Sequence, residues 1–346
     1  MKKTIFVTGG AGYIGVHTLV CLIEAGYHVV VLDNFSNSSP LALARVEKLT
    51  GAKVRLLEGD VRNTEMLKRL LVERAEAGEP VSCVLHLAAL KAVGESVRLP
   101  LEYYDVNVTG TLSLLAAMRA AGIEKIVFSS SATVYQPGAN LPYTERHPLG
   151  PSNPYGHSKA MVEQVLQDFC VANDGCAAVA LRYFNPIGAH PSGEIGDYPL
   201  GVPNNLFPYI TRTAIGSLPV LPVFGADYPT VDGTGVRDYI HVSDLATGHV
   251  KAIDWLCNGE NRGFHVFNLG TGRGTSVLEL IKAFEAVNGI AVPYEVRGRR
   301  VGDTGAAWAD VSAARQVLQW RAVHTIEDMC RDGWRWQSSN PTGYTS

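Results

Sequence analysis

The residues best placed to do chemistry are Tyr155 and Lys159, four positions apart in the run "NPYGHSK" (153–159). On a helix that spacing is one turn, so a phenol and an ammonium would share one face. A free tyrosine ionises near pH 10 and is a poor base at neutrality, whereas a neighbouring cation favours its phenolate. The same spacing also occurs on ordinary wet helix surfaces, so the context must decide. Ser131, in "SSSATVY" (129–135), supplies a hydroxyl at the end of the apolar run 126–130. In open α/β sheets, ligands bind outside the carboxyl ends of strands, which is where Ser131 would be.

What those side chains would act on is suggested by "TGGAGYIG" (8–15). Gly10, Gly12 and Gly15 satisfy G-x-G-x-x-G, and Gly9, Gly12 and Gly15 satisfy the looser G-x-x-G-x-x-G. The run lies between a strand-like segment and a helical one. There glycines permit a tight turn and a pyrophosphate can meet free N–H groups at the helix start. Asp33 ends the second apolar run, where a carboxylate accepts the adenosine-ribose hydroxyls and repels a 2′-phosphate. The expected cofactor is therefore NAD, and its cationic nicotinamide ring would add to the field favouring a Tyr155 phenolate. Asp60, in "EGDVRN", either meets the adenine amino group or caps the next helix.

The elements that must carry these residues read as strand, helix, strand, repeated. The runs 4–8, 28–32, 54–58, 83–87 and 126–130 are nearly continuous in apolar residues, as for a parallel sheet covered on both faces. Ile14, Thr18, Leu22 and Ala25 form a helical face, with Gly26 placed to end the helix. The expected fold class is α/β: a doubly wound Rossmann-type parallel sheet with a smaller, partly discontinuous α/β substrate domain. The cofactor domain is expected over 1–185 with a returning segment at about 236–272. The substrate domain is expected over 186–235 and 273–346, the first of these dense in Gly, Pro and Asn and read as loops round a site.

Composition narrows the function. The chain has 346 residues, 46% hydrophobic and 18% charged, with a formal charge of -3 and no long basic run, which argues against a nucleic-acid-gripping protein. Six scattered cysteines form no C-x-x-C pair, so reduced thiols and a cytoplasmic setting are expected. No histidine spacing suggests a metal site, and no apolar stretch is long enough to cross a membrane. His86 and His157 read as a satisfied sheet histidine and a solvent-facing one.

Taken together, "TGGAGYIG", "LKAVGESV", "FSSSATVY", "NPYGHSK", "LRYFNPIGAHPSG", "PNNLFPYI", "DYPTVDGTGVRDYIHVSDLA" and "NLGTG" resemble the UDP-glucose 4-epimerase family of the extended short-chain dehydrogenase/reductase superfamily. The resemblance runs almost the whole chain. It implies an isomerase that inverts C4 of a UDP-hexose through a transient 4-keto sugar and tightly bound NAD. Tyr155 would be the acid/base, Lys159 would depress its pKa and hold the nicotinamide ribose, and Ser131 would polarise the sugar 4-oxygen. Cofactor-contacting positions implied are Gly9, Gly12, Tyr13, Ile14, Gly15, Asp33, Asn34, Asn37, Ser38, Asp60, Val61, Leu87, Ala88, Lys91, Asn107 and Tyr183. Val106 stands where the family block is polar, which weakens the contact expected at Asn107.

Nucleotide-sugar positions implied are Phe184, Asn185, Asn204, Asn205, Leu206, Val223, Phe224, Arg237, Arg300, Asp303 and Ala307. Two arginines suit a diphosphate, which guanidinium forks grip well. Where relatives often carry a tyrosine, Ala307 would leave room for an N-acetyl group, so UDP-GalNAc and UDP-GlcNAc join the expected substrates unless Tyr294 or Trp308 fills the space. A homodimer through helices around 95–118 and 153–170 is expected by analogy with the family. A 4,6-dehydratase is disfavoured because Ala132 and Thr133 stand where that chemistry needs a carboxylate. A UDP-glucuronate-type epimerase or decarboxylase, and a non-catalytic NAD-binding sensor, remain as alternatives.

Overall fold

The computed structural model describes residues 3–138, 140–199, 201, 203, 205–300 and 303–345. The chain begins β1 (Thr4–Thr8), α1 (Tyr13–Glu24), β2 (His28–Asp33), α2 (Pro40–Thr50), β3 (Arg55–Glu58), α3 (Thr64–Glu76) and β4 (Val81–His86). After α4 (Val93–Arg98), α5 (Pro100–Tyr104), one π-helical turn and α6 (Gly110–Ala120) come β5 (Lys125–Ser131), α7 (Pro154–Ala172) and β6 (Ala177–Tyr183). The second half runs β7 (Asn185–Ile187), α8 (Leu206–Ala214), β8 (Leu221–Phe224), β9 (Val236–Arg237), β10 (Tyr239–His241), α9 (Val242–Asn258) and β11 (Gly263–Leu269). It closes with β12 (Thr275–Ser276), α10 (Val277–Asn288), β13 (Tyr294–Arg297), β14 (Ala306–Ala307), α11 (Ser312–Val317) and α12 (Ile326–Ser339).

Seven strands form one sheet in the order β11-β6-β5-β4-β1-β2-β3, and the pairings β3-β2-β1-β4-β5 are parallel. The order reverses between β1 and β4, which is the switch point where doubly wound sheets bind ligands. The apolar runs bury as expected for a two-faced sheet: β1 and β6 are buried throughout. β3 departs from that expectation. It is the edge strand, and Arg55, Leu56 and Glu58 are exposed. In α1 the inward face is carried by Gly15, Leu19 and Leu22 instead of reaching Ala25, which is exposed just before Gly26 turns the chain at φ 88°.

The chain divides into two compact units. One comprises Met1–Gln136, Pro148–Arg182 and Ala246–Phe267, and the other Pro137–His147, Tyr183–Leu245 and Asn268–Ser346. These bounds differ from the sequence expectation chiefly at two stretches, with smaller shifts at 183–185 and 268–272. Residues 137–147 join the second unit, and the returning segment starts at 246 because β9 and β10 pair with other second-unit strands. The first unit packs Phe6, Leu32, Leu67, Leu114, Ile126 and Val162 into its core, and the second packs Phe207, Ile210, Val223, Phe284 and Met329. The segment 186–235 is not all loop. It holds β7, β8 and α8, whose strongly amphipathic sequence buries Phe207, Ile210 and Thr211. Among the described residues no helix is long and apolar enough to cross a membrane.

Candidate active site

The first unit assembles its site at the carboxyl ends of β1, β4 and β5. After β1 the chain makes the glycine turn. Gly9 has φ 70°, and a Cβ there would come within 2.6 Å of the Ala88 backbone nitrogen, so only glycine lets this turn touch the end of β4. A Cβ on Gly15 would lie 2.6 Å from the carbonyl oxygens of both Gly9 and Gly10. α1 then starts on Gly12 with no side-chain cap and no acidic residue in its first turn. Such an uncapped N-terminus, approached by bare backbone, is a cradle for an anion, and it fits the pyrophosphate of a dinucleotide.

Asp33 closes the other side of this cradle. Its Oδ2 accepts the Ala11 N–H (2.9 Å), while Oδ1 accepts the Phe35 N–H (2.9 Å) and the Ser38 hydroxyl (2.8 Å). The carboxylate is thus anchored from both turns, with lone-pair capacity left for ribose hydroxyls. Asn34 donates to Asp60 (3.0 Å), placing those two together, and Asn37 is exposed on the same loop. Asp60 does not cap α3; Asn63 does, through Met66 N–H. Asp60 is instead gripped by the Arg62 guanidinium, which holds its carboxyl well below the usual range.

The positions after β4 follow the same pattern. Leu87 N–H bonds the Thr8 carbonyl (3.0 Å), Ala88 packs on Gly9, and the Lys91 ammonium lies 5.8 Å from the Tyr13 ring centroid. Ile14 is half-buried in the first turn of α1, and Val61 is buried beneath Gly110. Asn107 spends its amide on the Leu90 backbone and on Ser158. In the structure it braces the loop after β4 and offers no spare donor, in line with the altered neighbour Val106. His86 bonds Thr8 (2.7 Å) and Thr111 (3.0 Å), and burial brings its pKa down to about 3, a neutral sheet histidine.

Tyr155 and Lys159 sit on α7. Asn153 caps that helix by accepting the Gly156 N–H (2.9 Å), and Pro154 pre-sets its first turn. Tyr155 and Lys159 therefore occupy successive turns, with the Lys159 ammonium 5.8 Å from the Tyr155 ring centroid. Ser131 hydrogen-bonds Tyr155 and in turn accepts from the Thr133 N–H and hydroxyl. Lys159 is buried and donates to the Ser129 carbonyl (2.7 Å). Sequence reasoning expected the ammonium to lower the phenol's pKa. Here burial dominates and pushes Tyr155 up, with Ser131 opposing, while burial also brings Lys159 down to about 7. His157 is exposed on the far face.

The second unit gathers most of the other expected residues. Tyr183 and Phe184 are buried, and Asn185 is exposed where β7 runs parallel to β10. Asn205 and Leu206 open α8, whose N-terminus lacks a side-chain cap; Asn204 lies outside the described residues. Val223 and Phe224 end β8, and the Arg300 guanidinium stacks 3.8 Å from the Phe224 ring centroid. Arg237 on β9 approaches Asp303 (3.8 Å) and pairs in register with Ala307 on β14. Phe224 with Arg300, and Arg237 with Asp303 and Ala307, supply an aromatic face, two guanidinium groups and a small residue. The Trp308 ring packs against Gly274, and Tyr294 pairs with Leu221 in a different sheet.

Several residues escaped sequence reasoning. Ser129 accepts from Lys159, Ser130 and Arg182 bond Glu163 one turn further along α7, and Tyr103 meets Tyr155 edge-on with centroids 6.4 Å apart. Asp238 is buried and accepts from Thr271, Gly272 and Ala309, fixing the "NLGTG" turn. A triple serine at a strand end was the available signal for the first group. Among the described residues no cluster could hold a metal ion.

Comparison with known proteins bears on the family and the fold. The model of the "NAD dependent epimerase/dehydratase family" matches residues 5–270. The chain is 54% identical over 342 residues to the UDP-glucose 4-epimerase of Bacillus subtilis (strain 168), covering 99% of each chain, and 51% identical to that of Dictyostelium discoideum, covering 99% of this chain and 97% of the relative. The crystal structure of the Bifidobacterium longum UDP-glucose 4-epimerase, in complex with NAD+ and UDP, superposes with a TM-score of 0.93 at 50% identity, covering 99% of this chain and 100% of that one. That of the Stenotrophomonas maltophila enzyme, with NAD and a formylated UDP-arabinopyranose, gives 0.94 at 46% identity, covering 98% and 99%.

Proposed function

This chain belongs to the NAD dependent epimerase/dehydratase family, and we propose that its reaction is inversion of C4 in UDP-galactose and UDP-glucose, a UDP-glucose 4-epimerase activity using NAD. The observation that carries the residue roles is the Ser131–Tyr155–Lys159 set beside the glycine turn.

In this reading Tyr155 takes the proton of the sugar 4-hydroxyl and later returns it, and Ser131, already hydrogen-bonded to Tyr155, polarises the 4-oxygen. Bound NAD supplies the hydride acceptor and then the hydride donor at C4. Lys159 holds positive charge where the phenolate forms. Gly9, Gly12, Gly15 and Asp33 hold the cofactor's phosphates and ribose. Arg237 and Arg300 grip the substrate diphosphate, and Phe224 lines the nucleotide. Anchoring by the diphosphate leaves the keto sugar free to turn and present its other face.

Ala307 extends the reading to UDP-GalNAc and UDP-GlcNAc, because a methyl side chain excludes no acetamido group. The packing of the Trp308 ring against Gly274 supports this. We also assign a homodimer in the cytoplasm. Val97, Leu101, Leu112 and Met161 are exposed on α4, α5, α6 and α7 (Leu101 at 77%), an apolar face suited to a second copy. All six cysteines are free thiols, as suits a reducing compartment.

The test is conversion of UDP-galactose to UDP-glucose by the purified protein without added NAD, with UDP-GalNAc run alongside. Tyr155→Phe should abolish turnover while NAD stays bound; near-normal turnover in that variant would refute the residue roles. Turnover of UDP-galactose but not UDP-GalNAc would remove the role given to Ala307.

A further inference from the structure

β5 ends in three consecutive serines, and each engages a different residue of one stripe on α7. Lys159 Nζ donates to the Ser129 carbonyl (2.7 Å), the Ser130 hydroxyl donates to Glu163 Oε1 (2.5 Å), and Ser131 hydrogen-bonds Tyr155. Tyr155, Lys159 and Glu163 are spaced i, i+4, i+8, so the stripe runs straight up the helix from the phenol to the carboxylate. Arg182 on β6 completes the arrangement with a two-pronged grip on Glu163: Nε to Oε1 at 2.9 Å and Nη2 to Oε2 at 2.6 Å. Both side chains are almost fully buried, at 4% and 3% exposure.

We propose that Glu163 is a positioning residue of the epimerase reaction, its immobilised carboxylate keeping the buried Lys159 ammonium charged beside Tyr155. This rests on the roles given above to Tyr155 and Lys159. A buried ammonium without a counter-charge reverts to the amine, and an amine gives a phenolate no support. Burial is the larger influence on Lys159 and Glu163 the charge that opposes it.

The other groups facing Lys159 cannot take that part. His86 on β4 is neutral, held at about 3 by burial and by Lys159 itself. Phe128 on β5 presents only its ring, 4.8 Å away. Tyr103 on α5 is pushed up by burial and by Glu95, to which its hydroxyl is bonded (2.8 Å), so it stays neutral beside Tyr155. Arg182 is held by both carboxylate oxygens and stacks on the Tyr135 ring. A buried ion pair with only an architectural task could be replaced by neutral partners with little consequence for chemistry. This pair differs in having one end a single turn from the lysine.

The test measures kcat for UDP-galactose from pH 6 to 10 on NAD-loaded enzyme. The variants are Glu163→Gln, Glu163→Asp and the double change Glu163→Gln/Arg182→Gln, the last leaving no lone guanidinium should the single amide fail to fold. Without the carboxylate Lys159 loses its proton at lower pH. The alkaline limb should therefore move about one pH unit towards acid. The loss should grow from a few-fold at pH 6.5 to about tenfold at pH 8.5, with KM unchanged. Glu163→Asp should restore the parent limb. A uniform loss at every pH, tracking a lowered Tm, would overturn the proposal and leave the pair architectural. Tyr155→Phe, run in parallel, separates the two levels. Turnover in that variant refutes the reading beneath, whereas a dead Tyr155→Phe beside an unshifted Glu163→Gln profile refutes the role of Glu163 alone.

Discussion

Replacing Lys159 by methionine should make the protein more stable while nearly silencing it. Lys159 ionises ordinarily at 10.5 and in the fold at about 7, the fall being due first to burial. Its folded pKa is depressed, so between those two values the unfolded chain binds the proton and the folded one does not. Stability therefore rises with pH across that window, and the cost of the buried charge is fully present below about pH 7. At 1.36 kcal/mol per unit the full cost is on the order of 5 kcal/mol. Methionine keeps the stem but forfeits the hydrogen bond to the Ser129 carbonyl, worth about 1 kcal/mol, so a net gain of roughly 2–4 kcal/mol is expected at pH 6.5. Urea unfolding of parent and variant at pH 6.5 and pH 9.5, at matched NAD, reads it directly. The gap should narrow by more than half at the higher pH, while turnover falls at least about 10²-fold. A variant no more stable than the parent at pH 6.5, or a gap indifferent to pH, would refute the account of Lys159 as a strained buried cation.

Two further outcomes test other parts of the structure. Gly15→Ala should lower NAD affinity at least about tenfold, because the new Cβ would sit 2.6 Å from two carbonyl oxygens that cannot move without opening the cradle; NAD released on denaturing the purified variant measures it, and parent-level loading contradicts it. Cys257, whose thiol is lowered by the Cys83 thiol and by the Lys3 and Lys125 ammoniums, should be alkylated at pH 7.5 faster than Cys21, whose thiol burial pushes up to about 12; mass mapping after iodoacetamide checks the order, and the reverse order contradicts it.

What could be read from the sequence was what local chemistry dictates. The glycine turn, Asp33 at the end of β2 and the Tyr155–Lys159 spacing each rest on residues a few positions apart, and each has a geometry that few residue types satisfy. Contacts across long stretches of chain were not legible. The hold of Asp238 on Thr271 spans 33 positions, and nothing near Asp238 announces its partner. Glu163 drew no attention in the sequence, since its burial depends on Arg182 arriving from a later strand. β3 shows the opposite error: an apolar run read as buried on both faces lies at the edge of the sheet, where no further strand covers it. α8 was missed because Pro and Gly around it read as loop, although Pro208 sits in its first turn, where proline is tolerated.

The chain passes back and forth between the two units five times, which constrains how it can be made. On a ribosome, the Rossmann half cannot be completed when its first 182 residues have emerged. Its sheet still lacks β11, and β6, buried along its full length in the finished protein, stands as an open apolar edge. That edge must wait for some eighty further residues, including the whole 183–245 stretch of the other unit, before its neighbour is synthesised. For this interval the nascent chain exposes the kind of strand that recruits strands from other chains. Fragments ending near residue 182 should accordingly precipitate where the whole chain does not, and slow translation across 183–262 would lengthen the exposure.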